Sequence, residues 1–129
     1  MKLVVDANPI ISMLIAESPA IDIIFDKRFE IFAPRLILDE ISRNMGVIRS
    51  KSRLSNMEQI FRMIKNEIQL VPSEEYECCV PDAEQICPDP KDIAYFALAL
   101  HLGCGIWSNE KWEQNLVRVY MTHELISMI

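Results

Sequence analysis

Short apolar runs alternate along this chain with stretches in which apolar residues recur at helical spacing, and that alternation predicts an α/β fold around a mainly parallel sheet. Leu3-Val4-Val5, rich in β-branched residues, is a strand buried on both faces. Asp6 ends it; Asn8 is placed to cap a helix, and Pro9 falls in the first turn, where its missing N–H costs nothing. Pro19 opens a short helix reaching Asp26, and Phe29 to Ala33 form the second strand. Pro34 starts a longer helix. At about 100° per residue, Ile37, Ile41, Met45 and Ile48 share one face of it, with Leu36 and Val47 at the shoulder. Ser50 to Asn56 is a polar, basic loop, and Ser55-Asn56-Met57-Glu58 has the form of a capping box for a helix running to about Asn66. Ile68 to Val71 is the third strand, closed by Pro72, and Ser73 with Glu74 and Glu75 caps a helix that fades before Pro88.

The stretch from Asp89 to Trp112 organises the rest. Asp89 suits the N-cap, Pro90 the first helical position and Asp92 the third, ahead of a helix from Ile93 to about Leu102 that is apolar nearly all round and hence buried. Gly103 and Gly105 end it. Ile106-Trp107 is strand four, closed by the polar cluster Ser108, Asn109 and Glu110. A short helix from Lys111 to about Asn115 follows, then a strand from Val117 to Tyr120 and a terminal helix capped by Thr122.

Glu40 is the anomaly in this pattern. It projects between Leu36 and Ile37, inside the apolar arc, whereas Asp39 and Arg43 fall toward the wet side. A carboxylate facing the interior is costly unless it is paired or metal-bound. Strand ends place Asp6 and Glu110 on the carboxyl edge of the sheet, where open α/β sheets bind ligands. Asp92 opens a helix on the same edge, and Glu40 points inward from another. Converging carboxylates repel unless a divalent cation lies between them, and Mg2+ and Mn2+ prefer such oxygen ligands. A site of this kind polarises a phosphodiester and generates hydroxide from water, with Glu40 or Asp92 available as base. Each acid also has a plainer reading: Asp89 and Asp92 as caps, Asp6 as a turn residue, Glu40 paired with Arg35 or Arg43, Glu110 in the first turn of a helix.

The chain has 129 residues, the size of one ordinary domain, and is 50% hydrophobic, enough for a core without staples. No apolar run approaches the roughly 18 residues of a membrane span, and the acidic residue in MKLVVDANPI is foreign to a secretory signal, so a cytoplasmic location is expected. Cys78, Cys79, Cys87 and Cys104 form no C-x-x-C pair, adjacent cysteines such as Cys78 and Cys79 rarely serve as a metal pair, and His101 and His123 lie at no standard zinc spacing, so the cysteines read as reduced and structural. A net charge of −6 argues against a general nucleic-acid binder. The positive charge is nevertheless concentrated at Arg43, Arg49, Lys51, Arg53, Arg62 and Lys65. An acidic site beside that stripe suits a polyanion once a cation neutralises the acids; the first four are the candidate RNA contacts, and a solvated helix surface is the alternative.

The chain resembles the PIN-domain family, which includes the VapC-type toxin ribonucleases. The resemblance rests on the strand followed by Asp6-Ala7-Asn8, on Glu40 in the third helix, on Asp89-Pro90-Lys91-Asp92 before an alanine-leucine helix, and on Trp107-Ser108-Asn109-Glu110-Lys111-Trp112. It implies a three-layer α/β/α fold and Mg2+- or Mn2+-dependent cleavage of single-stranded RNA, by a toxin or an RNA-processing enzyme. Asp6, Glu40 and Asp92 match the metal-binding acids, Asp89 an accessory acid, Asn8 the polar residue after the first aspartate, and Asn109 the one before the last acid. The final acid is usually aspartate; Glu110 stands there, and one extra methylene puts two-metal operation in question. Trp112 stands for the usual phenylalanine and is expected to pack. Many such toxins are blocked by a small antitoxin whose tail fills the acidic groove, and members often pair as homodimers. Two other readings stay open. One is a non-catalytic PIN-like module binding RNA or protein through the basic stretch. The other is a phosphatase, disfavoured because Asn8 occupies the position where a dehalogenase-like enzyme needs its second aspartate.

Overall fold

The structure, a computed structural model, describes residues 1–110 and 117–129. The expected helix from Lys111 to Asn115 and the packing of Trp112 lie outside the described residues. The elements run β1 (Lys2–Val5), α1 (Ala7–Ile15), α2 (Ala20–Phe25), β2 (Glu30–Pro34), α3 (Ile37–Arg43), α4 (Met45–Lys51), α5 (Met57–Glu67), β3 (Gln69–Val71), α6 (Ser73–Tyr76), a 3₁₀ turn (Glu77–Cys79), α7 (Val80–Ile86), a second 3₁₀ turn (Pro90–Asp92), α8 (Ile93–Leu102), β4 (Gly105–Trp107), β5 (Val119–Tyr120) and α9 (Thr122–Ile126).

The strands form a five-stranded sheet in the order β3-β2-β1-β4-β5, and every pairing is parallel. The chain leaves β1 in one direction to reach β2 and β3, then returns past it to β4. Right-handed crossovers therefore place α1 to α5 on one face and α6 to α8 on the other, a three-layer α/β/α sandwich. The order reverses between β1 and β4, and the carboxyl ends of those two strands flank the crevice where such sheets take ligands. β1 is fully buried from Leu3 to Val5, and α8 packs against β1, β2 and β4 with Tyr95, Phe96, Ala97, Leu98 and Ala99 all buried, as its continuous apolar sequence requires.

Several local expectations are corrected. Asp6 itself caps α1, its Oδ1 accepting from the Ala7 N–H at 2.8 Å; Asn8 falls inside the first turn instead, where Pro9 lies as expected. Pro34 ends β2, beyond the stretch of β2 paired to β1, and the chain turns before α3 begins. The long helix is two, broken at Asn44, whose Nδ2 donates to the Glu40 carbonyl at 2.8 Å and so satisfies a terminal acceptor of α3. No capping box forms at Ser55: Asn56 is the residue before α5, and Glu58 accepts from Arg49 at 2.9 Å. Ser73 and Thr122 are the first residues of their helices, not the caps.

Gly103 ends α8 in the left-handed conformation (φ 65°), which glycine adopts without strain. Gly105 is required for a different reason. A Cβ there would lie 2.7 Å from the Arg118 carbonyl oxygen and 2.7 Å from Cε2 of Tyr120. The ring can swing aside, but the carbonyl belongs to the ladder that holds β5. Gly105→Ala is expected to destabilise the fold by about 1–3 kcal/mol, read as a fall in Tm of several degrees; an unchanged Tm would show that β5 gives way freely.

Candidate active site

The site begins with the register of β1 against β4. Val5 pairs with Trp107, so the residues that follow, Asp6 and Ser108, emerge side by side. Ser108 is fully buried; its Oγ donates to Asp6 Oδ2 at 3.0 Å and accepts from the Glu110 N–H at 3.0 Å. One hydroxyl thus fixes the Asp6 carboxylate and the turn that carries Glu110. The Glu110 side chain is exposed and its Oε1 accepts from Asn8 Nδ2 at 2.9 Å, a reach across the β1–β4 edge.

The helix after Pro88 adds Asp92. Asp89 caps the 3₁₀ turn, accepting from the Lys91 N–H at 3.1 Å, and its other oxygen lies 3.6 Å from Lys91 Nζ. Asp92 occupies the cap position of α8 but makes no side-chain cap bond, so its buried carboxylate is left to the interior of the cleft. The capping role read for the Asp89–Asp92 pair belongs to Asp89. Glu40 leaves α3 toward the same space, where the buried Tyr95 hydroxyl donates to its Oε1 at 3.0 Å, and no ion pair joins it to Arg35 or Arg43 among the described residues.

Asp6, Glu40, Asp92 and Glu110 line one cleft of about 480 Å³, with Asn8, Asp39, Asn44 and the cations Arg43 and Lys91 around it. Other predicted residues stand elsewhere. Asn109 is turned away, its Oδ1 accepting from Thr122 Oγ1 at 2.8 Å, the same hydroxyl that accepts from Trp107 Nε1 at 3.0 Å. Arg49 is engaged with Glu58, and Lys51 and Arg53 are exposed beyond the cleft, so Arg43 alone of the predicted RNA contacts borders the acids. Lys91 and Tyr95 went unread in the sequence. Tyr95 left a signal of the same kind as Glu40, a hydroxyl in the apolar body of its helix, ahead of His101 in the last turn. Lys91 left none, because nothing in the chain tells a turn lysine from a cleft lysine.

The electrostatics are those of an under-neutralised site. Burial pushes the Asp6 carboxyl up to about 6, with Glu110 and Glu40 adding to it and the Ser108 and Ala7 bonds opposing. Burial, then repulsion from Asp6, Glu110 and Asp89, pushes Asp92 up to about 7. Burial also raises Glu40, against the Tyr95 bond and the charges of Arg43 and Lys91. An all-oxygen donor set whose members repel one another fits a hard divalent cation. The acids are spaced widely: among the described residues, the set of three ligand atoms lying within 4.8 Å of one another is Cys78, Cys79 and His101, not the carboxylates. At that spacing a cation between them would take one or two carboxylates directly and the rest through water.

The PIN domain family model matches residues 4–113, from β1 through the Glu110 turn. The chain belongs to the PIN-domain family. PIN domains are generally nucleases and typically use divalent metal ions. No curated protein matches the chain. Among the described residues, no helix of this PIN domain is long and apolar enough to cross a membrane.

The Tyr95–Glu40 bond yields a prediction for this PIN domain. Tyr95→Phe removes only the hydroxyl that donates to Glu40, and costs about 1 kcal/mol of stability. Because that bond holds Glu40 down, its loss lets the Glu40 carboxyl rise further. The acid limb of the pH–rate profile is expected to move to higher pH, with kcat falling several-fold. An unmoved limb would mean that Glu40 does not titrate in the reaction.

Proposed function

We propose that this PIN domain is a divalent-metal-dependent endoribonuclease acting on single-stranded RNA. The observation that carries the reading is the convergence of Asp6, Glu40, Asp92 and Glu110, from four separate parts of the chain, on one cleft flanked by Arg43 and Lys91. Independent helix caps and turn residues would not gather in this way. When bound, Mg2+ or Mn2+ would polarise the scissile phosphate and lower the pKa of attacking water. Asp6 and Asp92, the more buried carboxylates, would hold the ion, with Glu110 reaching it directly or through water. Glu40, which accepts from the Tyr95 hydroxyl, would take a proton from water. Arg43 and Lys91 would bind flanking phosphates, restoring the affinity for a polyanion that the net charge of −6 removes.

The test is cleavage of labelled single-stranded RNA in Mn2+, its loss on chelation and its return with Mg2+ or Mn2+. Intact RNA in every case, with no divalent ion bound, would overturn the reading. RNA retained equally well in chelator and by Asp6→Asn would instead support the non-catalytic module. A toxin role would require that a basic peptide occupying the cleft block cleavage, and the same assay measures that.

A further inference from the structure

Cys78 and Cys79 lie in the 3₁₀ turn between α6 and α7, and that turn packs on α8, whose last turn carries His101. The two Sγ atoms are 3.8 Å apart, both cysteines are free, and the Sγ atoms and a His101 ring nitrogen lie within 4.8 Å of one another. With Zn–S bonds of about 2.3 Å, the sulfur–sulfur edge of a tetrahedron is about 3.8 Å. A Zn–N bond of about 2.0–2.1 Å puts the sulfur–nitrogen edge near 3.5 Å, which asks at most about 1.3 Å of movement from an imidazole. His101 is exposed and free to make it.

We propose that Cys78, Cys79 and His101 form a zinc site, with the fourth position open to water or an external ligand. The donor set is soft, two thiolates and an imidazole, and selects against the hard ions suited to the acidic cleft. The two sites occupy opposite ends of α8, a helix of 10 residues and so about 15 Å long. Binding releases the two thiol protons to solvent and ties the α6–α7 connection to the end of α8. The site is independent of the nuclease reading: sequence spacing concealed it because its ligands are joined by the fold, not by a C-x-x-C run.

The test uses the full chain, reduced and stripped of metal, titrated with Co2+ as a spectroscopic stand-in and then with Zn2+. The expected result is one equivalent of Co2+ with the intense visible bands and thiolate charge transfer of a tetrahedral sulfur site, displaced by Zn2+. Cys78→Ser, Cys79→Ser and His101→Ala should each weaken binding by more than about 100-fold, the upper end of what losing a mere outer-shell partner costs. Cys87→Ser, Cys104→Ser and the double variant Asp6→Asn/Asp92→Asn should leave the bands intact. The proposal is overturned if reduced protein gives no thiolate charge transfer, if the Cys78→Ser chain, folded by circular dichroism, binds Co2+ as tightly as the parent, or if the bands vanish with the acidic-cleft variant instead.

Discussion

Asp92→Asn, and separately Asp6→Asn, is expected to lower the single-turnover rate of RNA cleavage at saturating Mn2+ by at least ~10³-fold without unfolding the protein. The size follows from what the carboxylates would supply: charge that holds a cation against the reacting phosphate, in a cleft where each is largely screened from water. Retention of the fold follows from the hydrogen bonds. Asp92 makes no cap bond that an amide could spoil. At position 6 the amide oxygen can keep the cap on the Ala7 N–H, and the Ser108 hydroxyl can rotate to accept from the new NH2. Asp39→Asn is the control, an exposed acid at the rim of the same cleft, expected within a few-fold of the parent. A folded Asp92→Asn protein keeping more than about a tenth of the parent rate would remove Asp92 from the mechanism.

What was legible in the chain, and what was not, divides by the range of the interaction. Val4 and Val5 followed by Asp6 could be read as a strand delivering an acid to the sheet edge because burial on both faces leaves a local composition. Glu40 could be read as inward-facing because helical geometry alone fixes its bearing relative to Ile37 and Ile41. The caps were less legible. Asp6 and Asn8 are both good cap residues, and which one serves is decided by where the Asp6 N–H finds the Trp107 carbonyl, at 2.9 Å across the sheet. The break at Asn44 was hidden because Met45 and Ile48 keep the apolar phase through it. The basic stripe was misread as a unit: Arg49 is spent on Glu58, while Lys91, far away in sequence, joins Arg43 beside the acids. Charge pairing on a surface has no periodicity to betray it.

The same cleft makes stability depend on pH in a sense opposite to that of a salt-bridged carboxylate. An aspartate titrates near 3.9 in an unfolded chain, whereas Asp92 in the fold is pushed up to about 7. Between roughly pH 4 and pH 7 the folded protein therefore holds the proton more tightly than the unfolded one, and raising the pH through that window removes stability. Above about pH 7 the loss is complete and the effect is flat. Asp92→Asn, which cannot ionise, escapes it. In chelator the variant should become more stable relative to the parent as pH rises from 4.5 to 8, by about 2 kcal/mol, a figure reduced because Asp6 and Asp92 titrate as a pair and share their repulsion. Denaturant unfolding of both proteins at the two pH values measures it, and the difference between them cancels groups that titrate elsewhere. Mn2+ should reverse the order at pH 8, since an ion that binds only the folded parent adds stability that the variant largely forgoes. Parallel pH dependence of parent and variant, with no response to Mn2+, would mean that these carboxylates neither repel one another nor share a cation, and the nuclease reading would lose its physical basis.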